Sequence, residues 1–175
     1  MAMNTKTRMV VVGTVLTATA LSAGTASAVV AGFNGGAQTQ RLVRTESDAT
    51  TAAGTTFTNI PNAAVAVRVP SRQTRLITGR FTAESQCTGS SFGWCSVRLI
   101  ARNSSTGTVV VLHPRSDLDF AFDSVSNDDL WESHSVARTI RLGAGSWRVI
   151  AQRATTSDSV TARHDDWTLE VDVNR

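Results

Sequence analysis

Residues Phe81–Ala101 read FTAESQCTGSSFGWCSVRLIA. On either side of a Gly/Ser-rich centre, apolar residues fall on every second position. Phe81, Ala83, Ser85 and Cys87 alternate on one side, and Cys95, Val97, Leu99 and Ala101 on the other. A period of two is the signature of strands with one face buried. The stretch therefore reads as strand, loop, strand. The local expectation is a hairpin with Cys87 opposite Cys95. Val97 then faces Ser85, Leu99 faces Ala83 and Ala101 faces Phe81, with Glu84 opposite Arg98 on the other face. The same register sets Arg80 against Arg102, an unfavourable pairing.

The loop contains G-S-S-F-G, Gly89–Gly93, which matches the G-x-S-x-G pattern of hydrolase nucleophiles. That pattern works when the serine sits on a turn between a strand and a helix, beside an oxyanion hole. No helix-forming segment follows Ser91. Glycine and serine are also what a tight loop needs. Ser91 is read as a loop residue, and no catalytic residue is assigned.

Moving outward, short stretches rich in Val, Ile, Thr and Phe alternate with Gly/Ser/Asn/Asp clusters, and no long amphipathic helix is visible. Strands are expected at 41–45, 55–58, 63–69, 75–84, 95–102, 108–113, 118–122, 135–142, 146–153 and 167–173. Residues 45–56 read as a loop, and His164-Asp165-Asp166 as the turn before the last strand. The segment SVARTIRLGAGSWRVIAQ, Ser135–Gln152, reads as a second hairpin turning at Gly143-Ala144-Gly145. Ile140 would then lie opposite Trp147 and Val136 opposite Ala151. Arg138 would fall on the apolar face, either buried with a carboxylate or displaced by a bulge. The fold class expected is all-β: a two-sheet antiparallel β-sandwich, jelly-roll-like.

The first residues have a different character. Lys6 and Arg8 precede an apolar stretch and an Ala26-Ser27-Ala28 site, the layout of a secretory signal peptide. Residues 1–28 are expected to be removed, residues 29–40 to form a flexible lead-in, and residues 41–175 to form a single sandwich domain. The expected location is secreted, extracellular. The full chain carries net charge +3. Loss of Lys6 and Arg8 leaves the mature part near neutral, with arginine its only strong base. That balance argues against nucleic acid or a membrane surface as partner. Two cysteines in an exported chain pair by default, so Cys87–Cys95 is the expected disulfide.

The runs F-T-A-E-S-Q-C (Phe81–Cys87), C-S-V-R (Cys95–Arg98) and G-S-W-R-V (Gly145–Val149), in this order, resemble small secreted bacterial β-sandwich proteins that are otherwise uncharacterised. The resemblance runs from about Thr55 to Val173. It implies secretion, one disulfide and a jelly-roll-like sandwich, and it brings no functional residue with it.

Three groups of residues could carry chemistry. Among the histidines His113, His134 and His164, Glu132 and His134 would share a strand face if that strand starts early. An acid from elsewhere would then complete a metal site, but no metal ligand is assigned on spacing alone. The segment Ser116–Glu132 holds Asp117, Asp119, Asp123, Asp128, Asp129 and Glu132, oxygen donors of the kind calcium takes, without EF-hand spacing. No cofactor is expected, calcium being the alternative. Of four tryptophans, Trp147 and Trp167 read as core. Trp94 and Trp131 are the candidate ligand contacts, with Trp94 either a platform for a sugar ring or a cover for the disulfide. The function expected is a non-enzymatic extracellular binding or interaction module, its partner a glycan or cell-wall component. The alternatives are a carbohydrate-binding module with structural calcium and, last, a secreted hydrolase.

Overall fold

The structure is a computed structural model that describes residues 32–115, 118, 120–125 and 130–175. The expected signal peptide lies outside these residues, as do Asp117, Asp119, Asp128 and Asp129. Eight strands follow in chain order: β1 (Gln38–Glu46), β2 (Thr50–Ala53), β3 (Thr58–Gly89), β4 (Trp94–Asn103), β5 (Val109–Val111), β6 (Asp123–Ser124), β7 (Glu132–Thr155) and β8 (Val160–Asn174). All pairings among them are antiparallel.

The fold turns on β3 and β7, which are too long for one sheet. The C-terminal part of β3 pairs with β8 and with the N-terminal half of β7, and β1 closes that sheet beyond β8. The N-terminal part of β3 pairs with the C-terminal half of β7, which pairs on its other side with β4, and β4 with β5. Each long strand thus leaves one sheet and enters the other. The crossing is made where Val69 pairs with Gly145 and the next pair is Thr74 with Gly143. Four residues of β3 (Pro70–Gln73) therefore oppose one residue of β7. The same four-against-one step occurs between Asn59 and Ala64. Each step contains a proline, which cannot donate to the ladder, and a left-handed residue, Asn62 and Arg72, both with φ of 60°.

This arrangement corrects both expected hairpins. Gly143–Gly145 is a bend within one strand, so Ile140 does not pair with Trp147 but with Ile77. No bulge displaces Arg138, since the register from Thr74 to Ser85 runs unbroken past it, and its guanidinium lies over the Phe120 ring. The disulfide forms, with Cys87 on β3 in one sheet and Cys95 on β4 in the other. It joins the sheets rather than closing a ladder. Glu84 and Arg98 consequently do not pair, and Arg98 instead donates to Gln152 and lies over Phe57.

The residues expected on the shared face are buried all the same. Phe81, Ala83, Val97, Leu99 and Ala101 meet in the core from opposite sheets. A Cβ on Gly79 would stand 2.9 Å from Leu99 Cδ1 and 3.4 Å from Val149 Cγ1, which marks a close approach of the two sheets. Trp167 is in this core and Trp147 packs against it half-buried. A second, smaller apolar cluster holds Cys87, Cys95, Val160 and Ala162.

Between the two clusters lies a polar layer. Ser85 pairs with His164 in one sheet, and Arg153 comes from the other. Arg153 donates to the carbonyl and hydroxyl of Thr50 and approaches His164 Nδ1 at 3.4 Å. His164 is therefore no turn residue but the middle of β8. The irregularity expected there is a register shift, with Asp166 at φ 41°. Residues 45–56, expected as a loop, include β2, whose Thr50 is the anchor for Arg153. Of the strand expected at 118–122, the described residues 118 and 120–122 lie in no strand, and the two-residue β6 follows just beyond them.

Candidate functional site

The end of the sandwich beyond the disulfide gathers most of the residues singled out from sequence. β3 ends at Gly89, whose φ is 130° and whose Cβ would overlap the Ser159 carbonyl oxygen at 2.1 Å, so only glycine fits. The chain turns through Ser90–Phe92, with Gly93 N–H donating to the Ser90 carbonyl, and enters β4 at Trp94. Ser91 thus sits between two strands. The strand–turn–helix geometry that would activate it is absent from this stretch.

The loop presents an aromatic that sequence reading passed over. Phe92 is 94% exposed, at a backbone φ of 68°. It lines a shallow depression with Ser91, Trp94, Ser124 and Val125. Trp94 is half-buried, and its indole N–H donates to the Leu118 carbonyl. It does not belong to the cluster around the disulfide, against which Val125 packs. Trp131 is 39% exposed and carries the Arg163 guanidinium over its ring at 4.9 Å, while Arg163 donates to Gln86. The structure thus brings Trp94 to the lining of that depression and places Trp131 under an arginine. The signal for Phe92 was its position: a large apolar residue at the tip of a polar loop closed by a disulfide.

An acid–imidazole cluster is built on the same end of the fold. β7 does start early, at Glu132, so Glu132 and His134 share a face, and β6 supplies the missing acid, Asp123. Ligand-capable atoms of the three lie within 4.8 Å of one another. Ser85 Oγ donates to Asp123 Oδ2 at 2.8 Å and lies 2.9 Å from His134 Nδ1. With the serine proton committed to the carboxylate, Nδ1 carries a hydrogen and donates to Ser85 Oγ. The other nitrogen, Nε2, faces Glu132 Oε2 at 3.4 Å. An imidazole nitrogen and two carboxylates suit a divalent ion of the zinc type better than calcium, which prefers oxygen alone. Ser85, His134 and Glu132 are also the residue types of a hydrolytic triad. Ser85 is only 1% exposed, however, and its proton is held by Asp123, so it cannot reach a substrate.

His113 is remote from this group in the sheet, bridged to Thr139 and beside Phe33. His164 is fully buried and stands against Phe81 and Phe122. Burial, and then the charge of Arg153, push its pKa down from 6.5 to about 3, which holds it neutral. Burial also lowers Arg153, to about 10.

No protein-family model and no curated protein matches this chain. Among solved structures it is similar to a carbohydrate-binding module (CBM6cm-2) from Cellvibrio mixtus lichenase 5A in complex with cellotriose, at 16% identity and a TM-score of 0.28. The match covers 81% of this chain and 91% of that one. The two-sheet assignment rests on the strand pairing described above.

Proposed function

We propose that this protein is an extracellular, non-enzymatic binding module whose partner is a glycan, held at the disulfide end of the sandwich. The observation that carries the reading is Phe92. An aromatic side chain at 94% exposure gains nothing from the fold, and it stands on a loop pinned by Cys87–Cys95 and Gly89. A fixed aromatic face bordered by serine hydroxyls and by Trp94 matches a sugar ring, which offers C–H groups to the aromatic and hydroxyls to the rim. Pinning the loop in advance also lowers the ordering cost of binding. The export-type N-terminus and the disulfide support the extracellular location.

Retention of the protein on a panel of immobilised glycans and cell-wall fractions tests this reading. Phe92→Ala is expected to lower retention at least tenfold while shifting stability by no more than about 0.5 kcal/mol, as for an exposed side chain. Full retention in this variant, or retention by no fraction of the panel, would overturn it.

A further inference from the structure

A second feature of the surface is unconnected with the loops. On the outer face of the β3–β7–β4–β5 sheet, Arg102 of β4 pairs directly with Arg148 of β7. Like charges directly opposite on an antiparallel pair repel. Arg44 of β1 reaches the same place, and the three line a cleft of about 550 Å³. Among the described residues no acidic side chain lines it. Among the described residues none of the three guanidiniums makes a hydrogen bond, an ion pair or a ring contact. Several arginines elsewhere are engaged: Arg41 with Asp172, Arg80 with Glu170, Arg98 with Gln152 and Phe57, Arg163 with Gln86 and Trp131. Three convergent cations from three strands, with their donors unspent, form an incomplete arrangement.

The rest of the lining narrows what completes it. Asn59 Oδ1 already accepts from Gln152, and Asn62 Nδ2 already donates to Glu46. What remains toward the cleft chemistry is the Asn59 amide donor and the Asn62 carbonyl acceptor. A ligand needing both a donor and an acceptor partner carries hydroxyls as well as charge. Ile150 is an apolar residue on the same lining. It gives the C–H face of a sugar ring something to lie against. A guanidinium fork matches carboxylate, sulfate or phosphate oxygens in two-point contact. Residues 29–175, without Lys6 and Arg8, are close to neutral, so the charge is a local feature and not a general polyanion-binding field.

We infer that this cleft binds the anionic groups of an acidic polysaccharide, with Arg44, Arg102 and Arg148 as its charge-reading residues. The site is separate from the disulfide end, and it stands or falls independently of Phe92.

The experiment measures binding of the purified protein to four polymers: polygalacturonate, dextran sulfate, a polyol-phosphate wall polymer and neutral dextran. Duplex DNA is the fifth arm. At least one acidic polysaccharide is expected to bind, neutral dextran is not, and the arm that binds best identifies the anion. Arg102→Gln and Arg148→Gln should each weaken that binding at least tenfold and reduce its salt dependence. The double variant of Arg80 and Arg141, two exposed arginines outside the cleft, should leave it unchanged. Each cleft variant should melt at or above the temperature of the wild type, because it removes a like-charge neighbour. Phe92→Ala should leave acidic-polysaccharide binding intact. Absence of binding to all three acidic polymers overturns the inference. So does an equal loss in the Arg80/Arg141 variant, tighter binding to DNA than to any polysaccharide, or a lowered melting temperature in both cleft variants.

Discussion

The interior of this sandwich holds two kinds of material. Over most of its length Phe81, Leu99, Val149 and Leu169 meet in a dry apolar core, each fully buried. One step along the same strands, at Ser85, Arg153 and His164, the burial is as deep but the chemistry is polar. Among the described residues, Arg153 Nε and His164 Nε2 of this layer are buried with no hydrogen-bond partner, as is Trp167 Nε1 in the apolar core. The two regions share strands, sheets and spacing. What differs is the sign of the burial energy. Removing apolar area from water stabilises by about 25 cal/mol per Å², whereas burying a polar atom without a partner costs one to several kcal/mol. The main core drives folding and the polar layer opposes it.

Mutation of each region separates the two contributions. Leu99→Ala is expected to cost about 2–5 kcal/mol, because it opens a cavity where Gly79 brings the sheets together. Denaturant unfolding measures this, and a loss below about 1 kcal/mol would show that the core tolerates a void there.

The polar layer should reveal itself through pH. Folded His164 stays neutral down to about pH 3, while the unfolded chain takes up a proton near 6.5. Its contribution is therefore complete above pH 6.5 and is lost as pH falls toward 3. The slope is about 1.4 kcal/mol per pH unit for one proton. Stability measured between pH 7 and 4 should fall less steeply in His164→Leu than in the wild type. Parallel curves would remove His164 as the titrating group.

The smallest effect is expected where intuition suggests a large one. Arg153→Met exchanges a buried guanidinium, itself carrying an orphan Nε, for an apolar chain of similar length. Loss of the bonds to Thr50 is offset by relief of that desolvation, so stability should stay within about 1 kcal/mol of the wild type. A loss of 3 kcal/mol or more would make the layer a net source of stability and erase the contrast with the core.

Alternation along the chain was enough to separate inward from outward residues. Phe81, Ala83, Val97, Leu99 and Ala101 are all inside, as a period of two requires. Alternation does not say which strand lies opposite. The hairpin registers assumed that neighbours in sequence pair in space. The four-against-one steps at 60–63 and 70–73 instead keep β3 a single path through both sheets. Nothing in a local window distinguishes such a step from a turn, since both use proline and a left-handed residue. β2 was illegible for a related reason. Its Thr/Ala sequence has no apolar period, and it is held by a long-range partner, Arg153. The pairing of Cys87 with Cys95 and the shared face of Glu132 and His134 were readable because both depend on spacing within one segment. Asp123 and the arginine cleft were not, because β6, β1, β4 and β7 meet there only through the fold.

The passage of β3 and β7 through both sheets has a mechanical consequence. In a sandwich of separate sheets, each ladder can shift without disturbing the other. Here the two ladders are cut from the same pair of strings. A one-residue slip of β3 against β7 in either sheet would turn that half's inward side chains to water. The slip could be confined to one sheet only by changing the number of residues spent at the bend, where Pro70–Gln73 face the lone Ala144. That short bend works as a ratchet. It locks the phase of one ladder to the phase of the other, so the molecule has to settle both alignments in a single event.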